Sequence, residues 1–450
     1  MRLALDQGGQ SSRAVVFAPD GRIAASAQVA VGTRRAAGGI VEQDAEEIVA
    51  SLASCIAEVA AVVPPKAWRA AGLACQRSSV VGWDRASGAA RTPVLSWMDT
   101  RAAAAFDEVT LDPERVRALT GLPPSPHYGA TKLRWLLAHA EPGGAFGCGP
   151  LASFLLHRLL DERPYRVAHT LAQRTLLYDV VARDWSDELL SAFGLARATL
   201  PTCVDDCSVH GTLHGVPLTV CAGDQNLVPY AAGDPAADTL YLNLGTGAFA
   251  LRPVAAPADV PDRLLLAPLD GPPGRRGAAA EGTVNGAAAA IAWYEQRTGA
   301  PFPWDGLMRV DPAVAPLFVN SVGELGSPFW RTGVPPRFEP QPNDTAAGAY
   351  AVVESIAFLV RANFESLPRA ARVVATGGLA QQAFMRALLA RVLRVPITAG
   401  PLDATAHGVA SLLGGVTGAR AAAHADDASA DGSDARLEDR YGRWCSLLSS

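Results

Sequence analysis

Twice in this chain a short apolar strand runs into a glycine turn and comes back as a second strand. The first instance is Arg2-Leu-Ala-Leu-Asp6, Gln7-Gly-Gly-Gln-Ser-Ser12, Arg13-Ala-Val-Val-Phe17. The second is Thr239-Leu-Tyr-Leu-Asn-Leu244, Gly245-Thr246-Gly247, Ala248-Phe-Ala-Leu251. Glycines at such turns let backbone N–H groups face inward as an anion-binding nest, and Ser or Thr hydroxyls add donors. Each hairpin opens one half of the chain. Two of them in matching context are suited to gripping a polyphosphate from both sides.

Just ahead of the second hairpin, the β-prone run Leu218-Thr-Val-Cys-Ala222 stops at Gly223 and presents Asp224. A carboxylate at the end of a buried strand is placed to face a cleft, which makes Asp224 a candidate general base. Two further strand ends deliver Gln76-Arg77 and Asp99-x-Arg101, all candidates for the substrate side.

Composition narrows the reading. At 450 residues the chain is long enough for two or three domains, and 49% hydrophobic with 18% charged residues fits a compact soluble protein. A net charge of −5 gives no electrostatic case for nucleic acid. No apolar stretch approaches ~20 residues, so no membrane span is expected. Seven scattered cysteines and a Met1 that leads straight into a strand point to a reducing, cytoplasmic setting without a signal peptide. Of 39 basic residues only Lys66 and Lys132 are lysine, so no Gly-x-x-x-x-Gly-Lys-Ser/Thr loop exists. Phosphate binding here must use backbone nests, hydroxyls and arginine.

In chain order, Asp44 with Glu47 predicts a capping-box start for a helix whose apolar face is Ile48, Leu52, Cys55, Ile56 and Val59. Residues 102–200 read as mainly helical, broken at Pro113, Gly121-Leu-Pro-Pro and Pro142-Gly-Gly, with His127-Tyr128 in the loop before the helix Thr131-Lys132-Leu-Arg-Trp135. Cys203, Cys207, His210 and His214 resemble a metal set on paper, but the gap between Cys207 and His210 is too short for a zinc finger. His210 to Gly215 reads as a hairpin, leaving reduced thiols and turn histidines. Glu281 to Trp293 is a Gly/Ala-rich loop entering a helix, and Ala346 to Ser366 is a helix. Arg372 to Thr376, Gly377-Gly378 and a helix from Gln381 to Leu393 form a strand–turn–helix seat for a nucleotide. Another helix starts at Asp403, residues 420–434 read as a linker, and Leu437 to Leu448 as a last short helix.

These motifs resemble the FGGY carbohydrate kinases, and within them the glycerol kinases most closely. The resemblance rests on Asp6-Gln7-Gly8 with Ser11-Ser12-Arg13-Ala14, Gln76-Arg77, Trp83-Asp84-Arg85, Trp97-x-Asp99-x-Arg101, Thr131-Lys132-x-x-Trp135, Ala222-Gly223-Asp224-Gln225, Gly245-Thr246-Gly247, Glu281-Gly282, Leu325 to Trp330, Gly377-Gly378 and Thr405-Ala406-x-Gly408. It implies an α/β fold of two actin-like/RNase H-like domains, a substrate-side domain over 1–235 and a nucleotide-side domain over 236–419, with 420–450 as linker and terminal helix. It further implies ATP with Mg²⁺ as cofactors and a small polyol or sugar as acceptor. By resemblance, Asp224 is the general base, Arg77, Ser78, Trp97, His127, Asp224 and Gln225 line the acceptor site, and Asp6 and Asp224 attend the metal. Gly8, Gly9, Gln10, Ser11, Arg13, Gly245, Thr246 and Gly247 would meet the phosphates, and Gly377 and Gly378 the adenosine. A homodimer is one assembly open to such a chain, whose sequence does not fix the oligomeric state, and no nucleic-acid or membrane partner is expected.

The chain departs from the glycerol kinase pattern at informative places. Two threonines of the phosphate loop are Gly9 and Gln10, a glycerol-binding glutamate is Ser78, a tyrosine is His127, and an adenine-side asparagine aligns near Ala383. The alternatives are therefore a kinase for a ketose or pentitol, or a degenerate nucleotide-binding regulator. Retention of Asp6, Arg77 and Asp224 argues against the regulator.

Overall fold

The computed structural model describes residues 1–140, 145–414 and 435–449. The expected break at Pro142 and the expected linker at 420–434 lie outside these residues. The chain forms two compact units. The first comprises Met1–Asp234, Leu266–Ala278 and residues 405–414; the second comprises Pro235–Leu265, Ala279–Ala404 and residues 435–449. Two stretches of the expected segment 236–419, Leu266–Ala278 and residues 405–414, group with the first unit.

The first unit is built on a six-stranded mixed sheet, in the order Gly211–Leu213, Val216–Gly223, Ala70–Cys75, Arg2–Gln7, Ser11–Phe17, Ile23–Ala30. Arg2–Gln7 pairs antiparallel with Ser11–Phe17, so Asp6 lies opposite Arg13. It pairs parallel with Ala70–Cys75, which in turn pairs parallel with Val216–Gly223. Gln7, Cys75 and Gly223 therefore sit in one row across three strands, and the next residue of each strand emerges at the same sheet end. The helix Ala45–Val62 packs on one face of this sheet, where Ser51 Oγ and Cys55 Sγ meet Ser12, and is capped as expected by Asp44, whose carboxylate accepts from the Glu46 and Glu47 N–H groups. Glu47 does not close the capping box; its carboxylate accepts from the Gly32 N–H instead, at 2.8 Å.

A five-stranded antiparallel sheet (Arg34–Ala36, Ile40–Gln43, Val94–Leu95, Val80–Asp84, Phe146–Pro150) is inserted into this unit. Residues 102–200 are less uniformly helical than their apolar content predicts. Short strands at Phe146–Pro150, Arg166–Ala168, Tyr178–Asp179 and Asp184–Trp185 separate the helices. The hairpin after His210 is present: Gly211–Leu213 pairs antiparallel with Val216–Gly223 across His214 and Gly215, both at positive φ. Cys207 Sγ donates to the Asp270 carbonyl, and His210 Nε2 lies 3.1 Å from the Asp206 carbonyl. The helix Ala404–Leu412 closes the underside of the sheet, where Ala406, Val409 and Ala410 join Ala4, Val15, Phe17, Ala74, Val220 and Ala222.

The second unit repeats the plan. Thr239–Leu244 pairs antiparallel with Ala248–Val254 and parallel with Arg372–Thr376, and Ile397–Ala399 lies beyond the latter. Glu281 and Gly282, expected in a loop, belong to the strand Arg276–Val284, where Glu281 is fully buried. The helix Thr345–Ser366, at 22 residues, is long and apolar enough to cross a membrane, contrary to the expectation that no such stretch exists. Its apolar window is 78% buried inside the unit, and it carries a buried Glu354 paired with Arg440. It is the core helix, on which the C-terminal helix Ala435–Ser449 docks.

Candidate functional site

In the first unit the three parallel strands bring Asp6, Arg77 and Asp224 to one end of the sheet. Arg77 Nε lies 3.7 Å from Asp224 Oδ1, with the arginine side chain buried and the carboxylate 22% exposed. The Asp224 carboxylate is oriented by its neighbour: Oδ1 accepts from the Gln225 backbone N–H at 2.8 Å and Oδ2 from Gln225 Nε2 at 3.1 Å. Arg77 is steered by Asn226, whose Oδ1 accepts from it while its Nδ2 donates to the Pro268 carbonyl. Gly223 is a glycine for a steric reason, since a Cβ there would strike the Arg77 stem and Asn226 Oδ1. Behind it, the Gly223 N–H donates to Thr170 Oγ1, and the Thr170 N–H donates to the buried carboxyl of Asp206. Burial and the nearby Asp270 push that carboxyl well above the ordinary range.

Asp6 is half-buried, and burial pushes its carboxyl up to about 7; the Asp224 charge adds to the rise and Arg13 opposes it. Among the described residues no protein donor hydrogen-bonds the Asp6 carboxylate. Such a carboxylate gains from a cation or a proton.

The two hairpins share a property that their sequences do not announce. In the first, the Gly8 carbonyl accepts from Gln7 Nε2, the Gly9 carbonyl from Gln43 Nε2 and the Gln10 carbonyl from the Val31 N–H. In the second, the Gly245 and Thr246 carbonyls accept from the Ala288 and Ala289 N–H groups, and the Gly247 carbonyl from the Gly245 N–H. Every turn carbonyl is occupied by a protein donor, so each tip has N–H, not C=O, to offer a ligand. That is the polarity an anion requires. Ser11 Oγ accepts from Gln28 Nε2, and Gln28 Oε1 accepts from Arg13. In the second unit Thr376 leads into Gly377 at φ 85°, where a Cβ would collide with the Leu244 carbonyl and Asn243 Oδ1. The expected strand, Gly377-Gly378 turn and helix follow in that order, although a 3₁₀ turn at Leu379–Gln381 delays the helix to Ala383–Leu393.

The expected acceptor residues Ser78, Trp97 and His127 come together in the first unit. Trp97 meets His127 edge-on, ring centroids 6.0 Å apart, with His127 exposed and the adjacent Tyr128 buried. Ser78 is buried at φ 62°, a left-handed conformation costing a non-glycine residue about 1–3 kcal/mol. Asp99 and Arg101 are not available in the same way. Asp99 is buried and bonded to Arg101 and to the Val41 N–H, and Arg101 also reaches Glu42.

Gln43, Ser79 and Lys132, not singled out as functional from sequence, join Trp97 and the substrate-side candidate Gln76 at this end. The Trp97 N–H donates to Ser79 Oγ, Ser79 to Gln76 Oε1, Gln76 Nε2 to Gln43 Oε1, and Gln43 Nε2 to the Gly9 carbonyl. This relay joins the Trp97 wall to the first hairpin. Lys132 is buried, and its Nζ donates to the carbonyls of Ser78, Trp97 and His127 at 3.1, 3.3 and 2.9 Å. The available signal was its helical phase, which puts Lys132 one turn before the core residue Leu136.

Two α/β sheets of the actin-like/RNase H-like kind, each with a donor-only hairpin and one ending in paired aspartates beside an arginine, define a phosphate-handling enzyme. The models of the FGGY family of carbohydrate kinases match residues 1–235 with its N-terminal domain and 240–416 with its C-terminal domain, and the chain belongs to this family. A glycerol kinase of Xanthobacter autotrophicus is 34% identical over 369 residues, 74% of this chain and 71% of that protein. A glycerol kinase of Nitrobacter hamburgensis is 30% identical over 446 residues, 92% of this chain and 88% of the relative. Among solved structures, Plasmodium falciparum glycerol kinase with ADP superposes with a TM-score of 0.87 at 20% identity, covering 100% of this chain and 98% of that one. A ligand-bound xylulose kinase from Lactobacillus acidophilus superposes at 0.83 with 18% identity and the same coverage. The chain is accordingly a carbohydrate kinase, a phosphotransferase that moves phosphate from ATP to an alcohol group of a small polyol or sugar.

Proposed function

We propose that Asp224 is the general base of this kinase and that the acceptor is a polyol or ketose longer than glycerol. The observation that carries the first part is the convergence of Asp6, Arg77 and Asp224 at one sheet end, with Arg77 3.7 Å from Asp224. Phosphoryl transfer asks little of a protein beyond alignment, charge stabilisation and a base on the nucleophile. Asp224 takes the proton of the attacking hydroxyl, Arg77 and Gln225 hold its carboxylate in place, and the amide-lined hairpins at Gly8–Ser11 and Gly245–Gly247 receive phosphate oxygens. Arg13 adds charge to the first hairpin, and Gly377-Gly378 lets the backbone approach the nucleoside.

Mg²⁺ fits this donor set. Among the described residues no cluster of three or more His, Cys, Asp or Glu forms a ready-made cage. Mg²⁺ is commonly held by one or two carboxylates together with substrate phosphates, and Asp6 and Asp224 supply two. Bound there with ATP, it would neutralise charge on the transferring phosphate. The enzyme works in the cytoplasm on this reading.

The acceptor assignment rests on Ser78 and Gly9. Ser78 stands where the glycerol kinase pattern has a carboxylate able to anchor two hydroxyls. A Cβ on Gly9 would lie 3.6 Å from Gln76 Oε1 and 3.7 Å from Trp97 Nε1, so a side chain at this position would border Trp97, and here none does. Loss of a charge-assisted bond costs roughly 1.5–3 kcal/mol, about one to two decades in kcat/KM. Glycerol is expected to be a poor substrate and a four- to seven-carbon polyol or ketose a better one. Steady-state kinetics over such a panel test this, and a kcat/KM for glycerol above all the others would refute it. Asp224→Asn is expected to lower kcat by ~10²–10⁴-fold with folding and ATP binding intact. A folded Asp224→Asn enzyme with wild-type kcat would remove Asp224 from the role.

A further inference from the structure

We propose that Lys132 is the positioning residue of the acceptor pocket, the ammonium that holds Ser78, Trp97 and His127 in one arrangement. The inference rests on the kinase reading above. It goes beyond that reading by assigning acceptor selectivity to a side chain that does not itself touch the acceptor. An ammonium has three N–H donors and no acceptor, and here three carbonyls take all three. The carbonyls belong to the loop after Ala70–Cys75, the segment after Val94–Leu95 and the turn before the helix Gly129–His139, which have no covalent reason to meet. Lys132 stands on that helix at 1% exposure and ties them together.

A merely structural lysine would be buried beside a carboxylate. Among the described residues no carboxylate hydrogen-bonds Lys132, and the one whose field reaches it, Asp99, is already engaged by Arg101 and the Val41 N–H. A buried charge satisfied only by carbonyls is expensive, and an apolar helix residue would fill the same space without that cost. What the apolar residue would not do is hold the Ser78 carbonyl, and with it a side chain in a left-handed backbone conformation. The three residues tied in this way are those expected to face the acceptor. Selectivity among acceptors therefore depends on Lys132 even though its charge points into protein.

The test compares Lys132→Met and Lys132→Arg with wild type over the polyol and ketose panel, after circular dichroism and thermal melting establish folding. Lys132→Met is expected to raise acceptor KM by ~10–100-fold and flatten the ranking of acceptors, with KM for ATP within ~3-fold of wild type. A folded Lys132→Met enzyme with wild-type acceptor KM and ranking would overturn the proposal. So would an equal rise in both KM values, which marks general loosening. If Lys132→Met does not accumulate, Lys132→Arg decides: a planar fork does not meet three divergent carbonyls, so acceptor KM should still rise, and an unchanged value refutes the clamp. Wild-type protein that turns over none of the panel would instead refute the kinase reading, and the clamp with it.

Discussion

Lys132 is also the residue at which pH should be felt. Burial lowers its ammonium from 10.5 to about 7, with Asp99 pulling the other way. Between those values the unfolded chain holds a proton that the folded chain has released, so stability contributed through this group rises with pH. Wild type should therefore gain stability relative to Lys132→Met as pH is raised from about 7 towards 10, measured by urea unfolding at a series of pH values. Binding should run the opposite way. A neutral amine has two donors for three carbonyls, so acceptor KM should climb above about pH 7 while the fold tightens. Both trends in the same direction would contradict the assignment. Lys132 was legible as a helix residue but not as part of the site, because a lysine among Leu133 and Leu136 carries no mark of what its tip will meet. Asp224 was legible, since an apolar run ending at Gly223 says where the strand stops and which side chain comes next.

The elements were legible where a local pattern sufficed. Asp44 opens its helix, Ala70–Cys75 and Arg372–Thr376 end at the expected residues, and both glycine hairpins are present. Glu281 was misjudged because alanine and glycine, which dominate its surroundings, carry no alternation to mark a strand. The C-terminal helix was expected, but not the reason it stays. Arg440 donates to Glu354 through Nε at 2.8 Å and Nη2 at 2.5 Å and to the carbonyls of Pro312, Ala315 and Pro316, while Trp444 Nε1 donates to the Phe318 carbonyl. Both charged side chains of the pair are almost wholly buried. Removing one partner strands the other, a loss of about 3–5 kcal/mol, whereas replacing both by apolar groups is much less costly. Arg440→Met should accordingly destabilise the protein by that amount, and Arg440→Met with Glu354→Met should recover most of it. Denaturant unfolding of the single and double variants checks this, and additive losses would contradict it.

At the scale of the whole molecule, the duplicated plan was readable from the paired hairpins, but the grouping of distant segments was not. No periodicity tells that residues 405–414 cover a sheet begun at Arg2. Yet Val409 packs among Ala4, Val15 and Val220, and a Cβ on Gly72 would run into it. Asn226, which steers Arg77, likewise depends on the carbonyl of Pro268. A fragment ending at residue 235 is therefore expected to lack cooperative unfolding and to bind a hydrophobic dye, and a sharp thermal transition in that fragment would contradict this. The same connectivity sets a timetable for synthesis. The first sheet emerges from the ribosome early, but the helix that covers its underside is made almost last. The stretch from Pro235 to Ala404 takes roughly 10–35 s to translate at about 5–20 residues per second. For that interval the nascent chain must carry an uncovered apolar face, and the candidate base at Asp224 cannot rest on a finished sheet until nearly all of the message has been read.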